Sequence, residues 1–375
     1  MLVLHTIVFF SLLLLVPAAW LLPERWQISA ISLLTAAFLL YVAPISALML
    51  LLTAAASYWV FKSAWLRPAG AVLLAIGQAV AVWMVFKSEW PTHAGWWTQV
   101  GVPLGLSYYT FRQIHYAIER YKQTLPHHTW ADYLRYLFFL PTMLVGPINR
   151  FPDFLRDVRR RRWDAALVSV GLERVLYGYV KVVVLGNALF TNHLGHLLTA
   201  LEPQHPALAT YLGILRFAGN AYVQFAGYSD IAIGLSLLLG FRTGENFAAP
   251  FLAPNLNDFW KRYHISLSQW CRDYVFSPLL SLTRRPMLAI AASMLVLGLW
   301  HEWSGRYLVW GALQGLGILF WHQYQKFAEK RPNVVPVLPV WLGVFLTLHF
   351  YCFSCVIIRE PSWQAVAHTF YRLLS

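Results

Sequence analysis

Met287-Leu288-Ala289-Ile290-Ala291-Ala292-Ser293-Met294-Leu295-Val296-Leu297-Gly298-Leu299-Trp300 carries no charge, and the polar turn His301-Glu302-Trp303-Ser304-Gly305-Arg306 follows it directly. As a helix these 14 residues rise about 21 Å, at about 1.5 Å each, whereas a hydrocarbon core is about 30 Å thick. If the run crosses a bilayer, the turn lies below the outer surface, in a water-filled funnel. A titratable side chain at that depth costs several kcal/mol unless it is paired or lines a wet cavity, which makes His301 a candidate functional residue. The plainer reading is a structural hydrogen bond; the neighbours Trp300, Glu302 and Trp303 tilt the balance towards function.

Runs of the same character fill the rest of the chain, at 2–22, 28–43, 45–61, 71–87, 98–117, 131–148, 165–190, 211–239, 306–325 and 336–358, with the quoted run extending to 304. A crossing helix needs about 20 mostly apolar residues, so the pattern predicts an all-α polytopic membrane protein of about 9 to 11 spans. Composition agrees: 58% of 375 residues are hydrophobic and 12% charged, against roughly 25% charged in a soluble domain. The 18 Trp and 19 Tyr suit interfacial anchoring and helix contacts within lipid. No linker, repeat or polar segment of domain size interrupts the runs, so one membrane domain over 1–375 is the simplest account. The stretch from Leu2 to Leu22 lacks a basic leader and a small-residue cleavage site, and reads as a retained helix.

The net charge of +13 is gathered in clusters between apolar runs. That pattern speaks first of membrane orientation and then of acidic partners, not of nucleic acid. The clusters are Arg156 to Arg162; Lys261, Arg262, Arg272, Arg284 and Arg285; and Lys326, Lys330 and Arg331. The positive-inside rule places all three in the cytoplasm and the loop 191–210, which has no Lys or Arg, outside. In the first half Lys62, Arg67, Lys87, Arg120 and Lys122 are scattered, and orientation stays open there.

From Asn246 to Leu282 the chain is aromatic yet charged, and Pro250, Pro254 and Pro278 break it. Such backbone must be re-entrant, lining a cavity, or lie at the interface. Within it, Asn255 or Asn257 is placed to cap a helix carrying Trp260, His264, Leu267 and Cys271 on one inward face. His264 is then a core histidine, satisfied by a carbonyl or held for function.

Other signatures fail. His301-Glu302 begins an H-E-x-x-H, but position 305 is Gly, and no metal is expected. Gly227-Tyr228-Ser229 resembles a nucleophile elbow, but Ile231 stands where Gly is needed. His127 and Asp132 match an H-x-x-x-x-D spacing that a polar loop meets by chance. Cys352 and Cys355, although spaced C-x-x-C, lie in an apolar run and read as packing residues.

Four blocks, in order, carry a resemblance: Pro103 to Phe111 (PLGLSYYTF), Gly146 to Phe151 (GPINRF), Phe225 to Asp230 (FAGYSD) continuing to Glu245-Asn246-Phe247, and Phe259 to Ser268 (FWKRYHISLS), followed by Gly298-Leu299-Trp300-His301. Over about 103–314 the chain resembles the membrane-bound O-acyltransferase (MBOAT) family, in its bacterial branch of alginate O-acetyltransferases and teichoic acid D-alanyl transfer proteins. The resemblance implies a ring of helices around a central tunnel, His301 as catalytic residue and His264 as the second histidine. It implies a tunnel or substrate lining from Tyr228, Asp230, Asn246, Trp260, Arg262, Arg272, Trp300 and Glu302. Relatives usually carry Gly where this chain has Glu302; the carboxylate either pairs with His301 or faces the acceptor funnel.

The function expected on this basis is transfer of an acyl group, acetyl first and D-alanyl as the alternative, from a cytoplasmic thioester to hydroxyls of an extracytoplasmic polysaccharide or its accessory protein. The donor, acetyl-CoA or acyl carrier protein phosphopantetheine, is a substrate, and no permanently bound cofactor is expected. Arg159, Arg160, Arg161 and Arg162 are either topology determinants or a dock for that anionic donor. A transporter or flippase in polysaccharide export is the rival class, although the inverted repeats usual there are missing. The expected location is the inner membrane of a bacterium.

Overall fold

The computed structural model describes residues 2–62, 67–87, 105–332 and 338–374, and they are helical with no strand. Four helices among them have the length and hydropathy to cross a membrane: α3 (Glu24–Val42), α4 (Pro44–Lys62), α5 (Pro68–Lys87) and α17 (Val340–Arg359). Their apolar windows are only 22% to 44% buried. Side chains such as Leu33 and Leu73, each 70% exposed, have no protein to cover them, and a bilayer supplies that cover. The chain is a multi-pass membrane protein, as its composition predicts. Proline in the first turn, where no N–H is missed, starts α4, α5 and α15 (Pro286–His301).

Packing divides the chain into two compact units, residues 1–178 with 228–244, and residues 179–227 with 245–375. The first contains α1 (Leu2–Phe10), a π turn (Ser11–Leu15), α2 (Val16–Trp20), α3 to α5, α6 (Leu106–Tyr121), α7 (Trp130–Leu137), α8 (Phe151–Arg160), α9 (Ala165–Tyr179) up to residue 178, and the end of α11 (Pro206–Leu238). Part of the first sequence block, before Gly105, lies outside the described residues.

The expected span at 131–148 does not form. α7 stops at Leu137, a 3-10 turn covers Leu140–Thr142, and extended chain follows. The cause is local. Pro141 and Pro147 lack an N–H, and Gly146 adopts φ +106°, where a Cβ would stand 2.6 Å from Ala232 Cβ. Arg112, fully buried in α6, supplies the missing donors, giving N–H to Tyr136 O (2.9 Å) and to the Thr142 hydroxyl. Tyr136 in turn donates its hydroxyl to Asn149 O at 2.7 Å.

In the second unit a π-helix (Val180–His193), α10 (Leu194–Leu201) and the first part of α11 precede the broken stretch. That stretch holds a 3-10 turn (Pro250–Leu252), α12 (Leu256–Arg262), α13 (Ile265–Cys271), a π turn (Arg272–Phe276) and α14 (Ser277–Thr283). Then come α15, α16 (Gly305–Lys330), α17 and α18 (Trp363–Tyr371). Cys352 and Cys355 are buried thiols in α17, and Cys271 is a buried thiol in α13.

Candidate active site

Asn255 caps α12 as expected, its side chain accepting from Asp258 N at 2.8 Å. The helix does not continue through His264. It ends at Arg262, because the Arg262 carbonyl accepts from Ala248 N (3.0 Å) and the Ile265 amide donates to Asn246 O (2.9 Å). Both groups are thereby withdrawn from helical bonding, and Phe247 pairs with Tyr263 in an antiparallel bridge. His264 sits at the break in the left-handed conformation, φ 47° and ψ 55°, and α13 starts after it. Trp260, His264, Leu267 and Cys271 are all buried nonetheless.

The surroundings of His264 define its proton. Asn246 Oδ1 lies 3.3 Å from Ser266 N, 2.9 Å from Ser266 Oγ and 3.2 Å from His264 Nδ1. A backbone N–H can only donate, so this amide atom is the oxygen, and Nδ1 of the neutral ring donates to it. Nε2 then carries the lone pair. It is buried with no hydrogen-bond partner among the described residues, so it is ready to accept an N–H or O–H from a bound molecule.

His301 ends α15. Glu302 is extended at φ −162°, and the Ser304 hydroxyl accepts from Tyr307 N to open α16. The two helices pack backbone to backbone: a Cβ on Gly298 would stand 2.4 Å from Tyr307 O, and one on Gly311 2.5 Å from Met294 O. Glycine at both positions permits this approach, and it holds His301 against α16. The imidazole stacks on Tyr307 (5.8 Å between centroids) and meets the edge of Trp310 (5.7 Å).

Trp300 links the two histidines, with its ring centroid 4.5 Å from that of His301 and 5.8 Å from that of His264. Phe225 covers the other side of His264 edge-on at 4.7 Å, and Trp260 reaches Trp310 at 5.9 Å. The site therefore comprises a half-buried histidine, a buried histidine with a defined lone pair, and aromatic walls against both.

Of the expected site residues, this brings together His264, His301, Asn246, Trp260 and Trp300. Glu302 pairs with Arg306 at 3.4 Å. Arg262 pairs with Asp258 (2.8 Å) and the exposed Arg272 with Asp273 (3.0 Å). Tyr228 and Asp230 belong to the first unit; Tyr228 is half-buried, and Asp230 forms an ion pair with Arg174 at 2.8 Å. In that unit Arg159 donates to His127 O (2.8 Å), and Arg161 donates to Ala19 O and to Gln27 Oε1 (2.6 Å). Burial holds the Arg161 guanidinium down to about 10, still charged at neutral pH.

The H-x-x-x-x-D pair has a structural explanation. Asp132 closes a capping box with Thr129 at the start of α7 and bonds Arg135. Burial raises its carboxyl, but the Thr129 amide and hydroxyl and the Arg135 charge outweigh that and hold it below the usual range. The sequence reading missed Phe225, Tyr307 and Trp310 as walls. Tyr307 and Trp310 carried a signal, lying three residues apart on the first turns of the helix that follows His301.

Residues 12–358 match the model of MBOAT, the membrane-bound O-acyltransferase family. The chain is 35% identical to the probable alginate O-acetylase AlgI of Pseudomonas aeruginosa, over 71% of this chain and 50% of that protein. It is 29% identical to the teichoic acid D-alanyltransferase of Bacillus subtilis (68% and 67%) and 24% identical to the peptidoglycan O-acetyltransferase of Helicobacter pylori (75% and 58%). It spans about half the length of the alginate O-acetylases it matches. A family match over nearly the whole chain, coinciding with paired histidines on a multi-pass helical scaffold, makes this chain a member of the membrane-bound O-acyltransferase family.

Proposed function

We propose that the chain is an inner-membrane O-acyltransferase that moves an acetyl group from a cytoplasmic thioester to hydroxyls of an extracytoplasmic polysaccharide, or to an accessory protein that passes it on. The choice of acetyl is supported by higher identity to the alginate O-acetylase (35%) than to the teichoic acid D-alanyltransferase (29%). Coenzyme A or a carrier-protein phosphopantetheine presents the acetyl group, and the basic run Arg159 to Arg162 receives it.

His301 takes the proton of the acceptor hydroxyl as its oxygen attacks the thioester carbonyl. The C–S bond breaks, an O-acyl ester remains, and the sulfur leaves with the proton held by His301. A positioned base contributes about 10² to 10⁴-fold. His264 Nε2 accepts a hydrogen bond from donor or acceptor and fixes it beside the reacting atoms. In this tautomer it orients, and it has no proton with which to stabilise an oxyanion.

The observation that carries the reading is the unpartnered Nε2 of buried His264, one indole ring from His301. The test is incubation of the purified protein with labelled acetyl-CoA and polysaccharide, with mass spectrometry of host surface polymers with and without the gene. Acetyl ester formation that requires His301 supports the proposal. Alanyl esters in its place would reassign the acyl group, and polymer movement without acyl transfer would favour a transporter.

A further inference from the structure

A cavity of ≈ 460 Å³ in the first unit, where α8 passes into α9, is lined by five arginines and two carboxylates. Both carboxylates are engaged. Asp157 accepts from the Arg242 amide (3.0 Å) and the Arg156 guanidinium (3.4 Å), while Asp164 caps α9 through Ala166 N (2.9 Å). Arg156 also bonds Asp153 at 2.7 Å, and Arg161 turns to Ala19 O and Gln27.

The side chains of Arg160, Arg162 and Arg242 remain exposed, with no hydrogen bond or ion pair to any described residue. Three uncompensated guanidinium groups around one cavity repel each other unless an anion sits among them. Their planar forks match phosphate oxygens in particular.

The surroundings indicate the source of that phosphate. Arg161 lies over the Trp20 ring at 4.5 Å, and Trp163, 58% exposed, meets Trp20 edge-on at 5.2 Å. Paired tryptophans of this kind sit at the level of lipid headgroups. α8 buries Phe151, Phe154 and Leu155 and leaves its arginines outward, which suits a helix lying along that boundary.

We infer that the cavity is a phosphate-binding site, filled by the headgroup of an anionic phospholipid. The inference rests on the first unit alone; it assigns Arg160 and Arg162 to a lipid and not to the acyl donor, and the coenzyme A arm of the test separates the two.

The full chain, purified in uncharged detergent, is titrated with dihexanoyl phosphatidylglycerol, dihexanoyl phosphatidylcholine and coenzyme A, with binding read by calorimetry and native mass spectrometry. Phosphatidylglycerol should bind in preference to phosphatidylcholine, and salt should weaken it. The triple variant Arg160→Gln, Arg162→Gln, Arg242→Gln should lose on the order of 10²-fold in affinity, roughly fivefold per guanidinium. It should unfold near the wild-type temperature, because these exposed side chains make no hydrogen bond or ion pair to a described residue. The corresponding Lys variant should retain most binding, since the charge is kept. Preference for coenzyme A, lost in the same Gln variant, would overturn the lipid as occupant and give the phosphate site to the donor. Equal weak binding of both lipids with none of coenzyme A, or a Gln variant that binds like wild type, overturns the inference.

Discussion

Replacing Gly311 by Ala tests whether the seam between α15 and α16 positions the chemistry. The new Cβ would stand 2.5 Å from Met294 O, against ordinary contact from 3.4 Å. The two helices must therefore part by about 0.9 Å, the difference between those distances, because a close-packed backbone contact has no side-chain slack. His301 is the last residue of α15, and its ring rests on Trp310, the residue before Gly311. The displacement is thus delivered to the imidazole. A misplacement of about 1 Å costs on the order of 10²-fold in rate, and overpacking costs about 1 to 3 kcal/mol of stability. The assay is acetyl transfer from labelled acetyl-CoA by purified protein, with kcat and KM separated and helix content followed by circular dichroism. We expect kcat to fall on the order of 10²-fold in protein that remains helical. Gly77→Ala, where nothing lies within 4 Å of the new atom, should behave as wild type. Wild-type kcat in folded Gly311→Ala protein would refute the claim that this seam sets the position of His301.

His301→Ala should lower kcat by about 10² to 10⁴-fold in protein that still inserts and folds; a loss of only a few fold would remove His301 as the base. In protein with ¹⁵N-labelled histidine, the pyridine-type nitrogen of His264 should be Nε2. Asn246→Ala should let both tautomers appear and slow transfer, and Asn246→Asp, which keeps the acceptor, should hold the Nδ1–H form; an Nε2–H ring in the wild type would sink the assignment. On topology, single cysteines at Arg160 and at His196, in a background lacking Cys271, Cys352 and Cys355, should react with an impermeant thiol reagent from opposite sides of the membrane. Reaction from the same side would overturn the orientation and the two-sided transfer built on it.

The membrane fold was legible because long apolar runs have one physical meaning in lipid, and most of those runs form helices, four of them, among the described residues, long and apolar enough to cross a membrane. The failure at 131–148 is instructive. Hydropathy counts Phe138, Phe139, Leu140, Met143, Leu144 and Val145 as lipid-facing, yet the first four are buried against protein. The segment is irregular because Arg112, 24 residues earlier in the chain than the carbonyl it serves, satisfies the backbone there. No local window contains that donor.

At the site, the face pattern found the burial of Trp260, His264, Leu267 and Cys271 but misjudged the backbone beneath it. The break at His264 depends on hydrogen bonds from residues 246–248, which the helical spacing of 260–271 does not encode. Asn246 appeared among the site residues through family resemblance, and its action through the proton on Nδ1 emerged only from its distances to Ser266. Trp310 and Tyr307 were missed because an aromatic on an apolar helix looks the same whether it meets lipid or an imidazole.

A side chain in mid-helix sweeps sideways whenever its helix rolls or slides. His264 occupies the joint between α12 and α13, and the peptide groups on both sides of it, the Arg262 carbonyl and the Ile265 amide, are moored to residues 246–248. The position of the imidazole is therefore set by residues 246–248 as well as by the two helices that meet at it. The left-handed backbone costs on the order of 1 to 3 kcal/mol for a residue other than glycine, and in return His264 is anchored from a third segment that neither helix contains.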